Sequence, residues 1–350
     1  MAKSDKIKNL FVRAGKALVK FFYDNRYFFK RLGIALLNVL FAVMLTFLVL
    51  TLTPTNAIDQ YAQRLVEQRA ISLEEARKLA VEILGYDPNA NVFKQLWNYI
   101  GNILHGNLGT SIYLKDVTAN SVIKQFLPYT LFISAVALLV SFVLGISMGA
   151  DMAYRKSPVK DTFMTSYIVT SSAIPDYLWG LILLYIFGCT LKWFPLNGAR
   201  DITNGLPAVI DLLWHATLPV VSMVIVQTSS WAMLMRGSAV SVLGEDYVNA
   251  ARARGIPNRI IVNRYLRRNA MLPLVTQVAI SFAAIFGGST LIESIFSYPG
   301  LGLQLATYIG NRDYFVVVGI LFFTSVIIIL ANFIADSVYS FIDPRVRRDS

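Results

Sequence analysis

Six apolar runs, each of 19 residues or more, dominate this sequence, at roughly 32–53, 129–153, 163–191, 212–235, 274–292 and 315–342. About 20 residues at 1.5 Å rise cross a ~30 Å hydrocarbon core, so each run is a candidate membrane span. No water reaches backbone N–H and C=O groups inside lipid, so spans of this kind must be helical. The expected fold is therefore all-α: a polytopic membrane protein with six transmembrane helices. At 55% hydrophobic and 15% charged, with mean hydropathy +0.55, the chain is not an ordinary soluble domain.

Charge gives the orientation. With the N-terminus inside, the inner segments hold 22 of the 32 Lys and Arg residues, although the longest loop lies outside. The positive-inside rule thus sets both termini in the cytoplasm. It also accounts for the net charge of +11 without any nucleic acid. The first run follows about 30 basic residues and lacks a small-residue cleavage site, so it is not read as a cleavable signal. Cys189 is the only cysteine, which excludes an internal disulfide and a thiolate metal cluster. His105 and His215 stand far apart with no second histidine one turn away, so no metal site is expected. No Gly-x4-Gly-Lys-Ser/Thr run occurs, so the chain has no P-loop. No cofactor is expected in it, and its energy must come from another subunit or an ion gradient.

The connections differ in character. In residues 1–31, Ile7, Leu10, Phe11, Ala14, Leu18, Phe21 and Phe22 share one helical face. An interfacial helix on anionic membrane lipid and a loose tail that only fixes topology both fit. Residues 54–128 read as a small extracytoplasmic helical subdomain. Ser72-Leu73-Glu74-Glu75 forms a capping box, followed by a stripe of Ala76, Leu79, Ala80, Ile83 and Leu84 that stops at Gly85. A second amphipathic helix is predicted over about 92–104. The subdomain either meets an extracytoplasmic partner or caps the bundle. The 343–350 tail is short and basic.

The longest cytoplasmic connection, 236–273, contains Glu245-Asp246-Tyr247-Val248-Asn249-Ala250-Ala251-Arg252-Ala253-Arg254-Gly255. Ala250, Ala251 and Ala253 would let another protein's surface approach a helix closely. Gly255 suits the left-handed position that ends a helix, and Pro257 prevents continuation. Arg252 and Arg254 could pair with acidic groups of a partner. A solvated loop made basic by topology alone is the other reading. A second helical stretch over about 259–270 leads back to the membrane.

Several blocks then carry a resemblance. They include Gly101-Asn102-Ile103-Leu104-His105-Gly106-Asn107-Leu108-Gly109-Thr110-Ser111, Leu127-Pro128-Tyr129-Thr130-Leu131 and Ala173-Ile174-Pro175-Asp176-Tyr177-Leu178-Trp179-Gly180. Others are His215-Ala216-Thr217-Leu218-Pro219, the 245–255 loop with Leu272-Pro273, Glu293-Ser294-Ile295-Phe296-Ser297-Tyr298-Pro299-Gly300-Leu301-Gly302, and Asp343-Pro344-Arg345. In order, they resemble the membrane subunits of dipeptide/oligopeptide/nickel ABC importers, in particular the first of the two permease types that such systems pair. The Glu that names the family's EAA motif is Asn249 here. The resemblance implies a bacterial or archaeal inner-membrane permease for di- or oligopeptides, with nickel or oligosaccharides as the alternative cargo. It implies a second homologous permease, two ABC ATPase subunits carrying the ATP and Mg, and an extracytoplasmic substrate-binding protein. Glu245, Asp246, Tyr247, Ala250, Ala251, Arg254 and Gly255 are the residues it implies for coupling to the ATPases.

Two carboxylates complete the candidate set. Asp176 falls about 13 residues into the third run, ~20 Å deep by helix rise, just after Pro175. An ionisable group at that depth is costly and faces an interior. It either lines the translocation path and attracts a cationic group such as a peptide N-terminus, or pairs with a neighbouring span or the second permease. Glu293, at the outer end of the fifth run, is a structural anchor or an outer-gate element. Asp151 and Asp336 near inner span ends are read as interhelix pairs. A secondary transporter should show several deep ionisable groups, whereas only Asp176 is deep. An intramembrane enzyme should show a nucleophile or metal constellation, and none is present.

Overall fold

A computed structural model describes residues 26–51, 56–84, 90–114, 116–154, 157–201, 203, 205–257 and 260–342. The amphipathic stretch in 1–25, the stop at Gly85, the side chain of Asp336 and the tail 343–350 lie outside the described residues. The described chain is helical, and its one β-bridge joins Thr110 to Thr118.

Helix α1 (Arg26–Thr51) is the first span. It leads into a module of α2 (Asn56–Arg69), α3 (Leu73–Leu84) and α4 (Val92–Leu104). The capping box forms: the Glu75 N–H donates to Ser72 Oγ at 3.3 Å, and the Ser72 N–H to Glu75 Oε2 at 3.4 Å. Ala76, Ala80 and Leu84 of α3 pack on Ile58, Ala62 and Leu65 of α2. That core also takes in Phe315 and Val318 of the last span, so the module is built onto the bundle.

Two unbroken helices of 36 residues, α5 (Ala119–Tyr154) and α8 (Ala208–Leu243), form the centre. Both extend well past the apolar runs that announce them. Gly145 and Gly149 of α5 sit directly on α8. A methyl group at Gly145 would collide with Thr228 O and the Trp231 side chain, and one at Gly149 with Ala232 O and Met235. This is how helices associate in lipid, where small residues replace hydrophobic driving force with close backbone contact.

The third run is not one helix. α6 (Pro158–Ala173) and α7 (Asp176–Leu183, prolonged as a π-helix over Leu184–Thr190) meet at 100°. Pro175 disfavours helical geometry at the residue before it, and Ile174 is extended at φ −105, ψ 121. Asp176 therefore opens a second half-helix instead of lying in mid-span. The fifth run is also bent, by 48°. That bend falls between Val275 and Ile280, and farther along α11 (Leu272–Ile285) ends at Gly287-Gly288, where Gly288 has φ +63, before α12 (Thr290–Ile295). A short α13 (Leu301–Gly310) precedes the last span, α14 (Tyr314–Ile342). Among the described residues four helices can cross a membrane unbroken, and the two bent pairs bring the number to six. The bundle thus has a module end, carrying α2–α4, and a basic end, carrying the 236–273 loop.

Candidate functional site

At the basic end α9 (Asp246–Ala253) follows α8 after Glu245, which stands at its N-cap. Arg254 caps its C-terminus and Gly255 turns the chain at φ +71, the left-handed geometry expected of it. The chain returns through a π-helical turn (Ile261–Leu266) and α10 (Arg267–Ala270). Val248 and Ala251 point inward and pack with Ile261, flanked by Val242, Leu243, Ile256 and Tyr265. Glu245, Asp246, Tyr247, Asn249, Ala250, Arg252, Ala253, Arg254 and Gly255 are exposed. The structure therefore separates the two neighbouring alanines. Ala250 is available at the surface, whereas Ala251 is part of the seam that holds α9 to its own chain.

That seam continues into the membrane part. Tyr247 Oη accepts from Asn269 Nδ2 at 3.0 Å, and its ring stacks on Tyr265 with centroids 6.4 Å apart. Ser238 Oγ on α8 donates to Ala270 O at 2.8 Å. Leu266, Ala270 and Leu274 then pack among Ala150 and Ala153 of α5 and Met235 and Ala239 of α8. A displacement of α9 is thereby mechanically linked to the ends of both central helices.

Between the two ends lies a cavity of about 580 Å³. Both broken spans border it: Asp176 from the break at Pro175, and Gly288 and Ser289 from the turn that follows α11 in the fifth run. Gln227, Ser230, Gln277 and Ser281 add uncharged polar lining. Asp176 is half-buried and accepts its neighbour's N–H through Oδ1, at 2.8 Å from Tyr177 N. Among the described residues no basic side chain pairs with it.

Glu293 is fully buried beneath the module end. Its Oε1 accepts from Thr130 Oγ1 at 2.7 Å, and its Oε2 from the Leu303 N–H at 2.9 Å. Thr130 Oγ1 in turn accepts from the Leu301 N–H at 2.7 Å. Gly300 and Gly302 lie against the carboxylate, where a Cβ would overlap it. One carboxylate thus joins α5, α12 and α13.

Two further polar joints escaped the sequence reading. His215, read as solitary, has an acid one turn before it: its Nδ1 lies 3.1 Å from Asp211 Oδ1, and both are buried. Asp211 Oδ2 accepts from the Asp201 N–H at 2.7 Å, which pins the 192–207 loop. The i, i+4 spacing of Asp211 and His215 was a visible signal. Asp313, also buried, accepts from Ser111 Oγ at 2.5 Å and from the Ile112 N–H at 3.2 Å. Burial pushes its carboxyl above the ordinary range, against those donors.

Residues 141–348 match the family described as binding-protein-dependent transport system inner membrane component. The chain is 32% identical over 322 residues to a protein of Brucella ovis named as a peptide permease, covering 92% of this chain and 99% of that one. It is 29% identical over 322 residues to the oligopeptide transport system permease protein OppB of Haemophilus influenzae, with the same 92% and 99% coverage. It is 30% identical over 321 residues to the glutathione transport system permease protein GsiC of Salmonella typhimurium, covering 92% and 98%.

Proposed function

The chain belongs to the family of binding-protein-dependent transport system inner membrane components, and on that premise we propose that it is the permease subunit of an ATP-driven importer of di- and oligopeptides. The basic end faces the cytoplasm, and the exposed face of α9 docks an ABC ATPase. A second permease completes the pore, with a second ATPase beneath it. A substrate-binding protein delivers cargo at the module end. ATP and Mg belong to the ATPases, which supply the energy.

The observation that carries this reading is the two-sidedness of α9. Its inner face, Val248 and Ala251, is fixed to the return segment that packs on α5 and α8. Its outer face offers Glu245, Asp246, Tyr247, Ala250, Arg254 and Gly255 to a partner. Closure of the ATPases on bound ATP moves that face. The seam carries the motion to the central helices and so to the walls of the cavity.

The cavity supports peptide as cargo. A carboxylate at Asp176 attracts a free α-ammonium group, and the surrounding Ser and Gln side chains hydrogen-bond a peptide backbone without selecting its side chains. The relatives named for peptide, oligopeptide and glutathione support the same class.

The test is ATP-dependent uptake in proteoliposomes holding this chain with its copurifying ATPases, second permease and binding protein. Free dipeptides should enter faster than their N-acetylated forms. Asp176→Asn should slow the free forms about tenfold, a loss of ~1.4 kcal/mol, and leave acetylated forms unchanged. Equal slowing of both forms would remove the ammonium role from Asp176 but leave the importer standing. Transport of nickel or an oligosaccharide with no peptide uptake would overturn the peptide assignment.

A further inference from the structure

Helix α4 is attached by one side only. Gln95 is its one buried side chain. Tyr99 Oη donates to Thr46 Oγ1 on α1 at 3.0 Å, and its ring lies 5.9 Å from Phe47. Tyr99 also packs against the cluster that contains Phe315 and Val318 of α14. The opposite side is apolar and uncovered: Phe93 is 81% exposed, Trp97 77% and Leu104 79%. Their spacing puts them in one helical stripe. An aromatic stripe of this kind facing water would be unfavourable, by roughly 25 cal/mol for each Å² of apolar surface.

The two attachment points fix its depth. Thr46 lies three residues inside the end of the apolar span Phe29–Val49, ~5 Å by helix rise. Val318 lies four residues inside the start of the span Tyr314–Ala335, ~6 Å from its end. A helix bonded to Thr46 and packed on the cluster that holds Val318 lies level with the boundary between hydrocarbon and headgroups. Leu45 and Leu48, in the same turn of α1 as Thr46, are also uncovered, so the stripe adjoins a surface that faces lipid. Trp at such a boundary keeps its ring in the acyl region and its N–H among headgroups, and exposed Lys94 can reach up to phosphate.

We propose that α4 is an in-plane membrane helix whose Phe93, Trp97 and Leu104 insert into the leaflet on the module side, about 5–10 Å into the headgroup–acyl boundary. The inference requires only that α1 and α14 cross the membrane, and it is independent of what the protein carries. Its consequence is that the module stands at a fixed height above the cavity, held by lipid as well as by α14.

Depth-dependent quenching tests this. Phe93→Cys, Trp97→Cys and Leu104→Cys, each with Cys189→Ser, are labelled with bimane in the assembled complex and placed in nanodiscs. Lys78→Cys, on the exposed side of α3, is the aqueous control. Lipids brominated high on the acyl chain should remove most of the emission at 93, 97 and 104 and leave Lys78→Cys unaffected, while iodide should do the reverse. Iodide quenching of the stripe would place it in water and overturn the proposal. Protection from both quenchers would mean that the second permease or the binding protein covers it, which overturns it equally. The unsubstituted chain gives an independent reading should a variant fail to assemble. A diazirine-bearing phospholipid should crosslink to the peptide containing residues 93–104, and its absence from that peptide while α1 is labelled would also overturn the proposal.

Discussion

The two ends of this bundle use charge in opposite ways. At the module end the acidic residues Glu293 and Asp313 are buried, and each binds donors from other elements. At the basic end Glu245, Asp246, Arg252 and Arg254 sit on the surface of a helix whose apolar side is already satisfied within the chain. A charge in an apolar bundle either cross-links the bundle or faces something outside it. Burial and donor count distinguish the two cases: a buried carboxylate without donors would be very costly, whereas an exposed one costs little.

The strongest way to break this comparison is at Glu293. Replacement by Ala orphans the Leu303 N–H and the Thr130 hydroxyl, at about 1–3 kcal/mol each, and leaves a cavity beneath Gly300. The thermal midpoint of the purified chain should fall sharply. Glu293→Gln retains an acceptor and should lose less. Gly300→Ala should resemble Glu293→Ala, because the added methyl meets the carboxylate. An unchanged midpoint for Glu293→Ala would mean that the residue is no joint, and would favour its role as a gate.

The next effect sharpens the comparison within a single turn of α9. Ala251→Leu overfills the contact with Ile261 and should destabilise by about 1–3 kcal/mol. Ala250→Leu, on the exposed face, should shift stability by no more than about 0.5 kcal/mol. It should nevertheless uncouple ATP hydrolysis from peptide uptake. If Ala250→Leu transported normally, the outer face would not be the docking face. Gly255→Ala comes third, at about 1 kcal/mol, since its φ of +71 disfavours a side chain although space is open around it.

These same residues mark what could be read without a structure. The spans announce themselves because hydropathy is a local property, α3 begins at its capping box, and α9 ends where Gly255 turns the chain. The overshoot of α5 and α8 beyond the apolar runs is not legible that way, since the segments involved are helical but not apolar. Pro175 was visible, but its consequence, a 100° break that gives Asp176 the start of a half-helix, depends on the packing around it. The opposed fates of Ala250 and Ala251 depend on where Ile261 returns, ten residues after Ala251 in the sequence. The joint between Asp313 and Ser111 spans 202 residues of sequence and leaves no local trace.

The smallest expected effect concerns that last joint and its dependence on pH. Burial holds the folded carboxyl of Asp313 above its ordinary value, so in the window between the two values the native chain keeps a proton that the unfolded chain has lost. The unfolded state then binds fewer protons, and stability falls as pH rises through that window. The loss is complete above the folded value and absent below the ordinary one. Asp313→Asn cannot titrate, so the midpoint of the native chain relative to that variant should be highest below about pH 4 and fall as pH rises above it. Other groups titrate in both proteins and cancel in the difference. A difference that grew with pH would mean that Ser111 and the Ile112 N–H outweigh burial. Asp313 would then be the opposite of what its surroundings imply, a carboxylate stabilised as the anion, and the module end would hold its acids by charge instead of in spite of it.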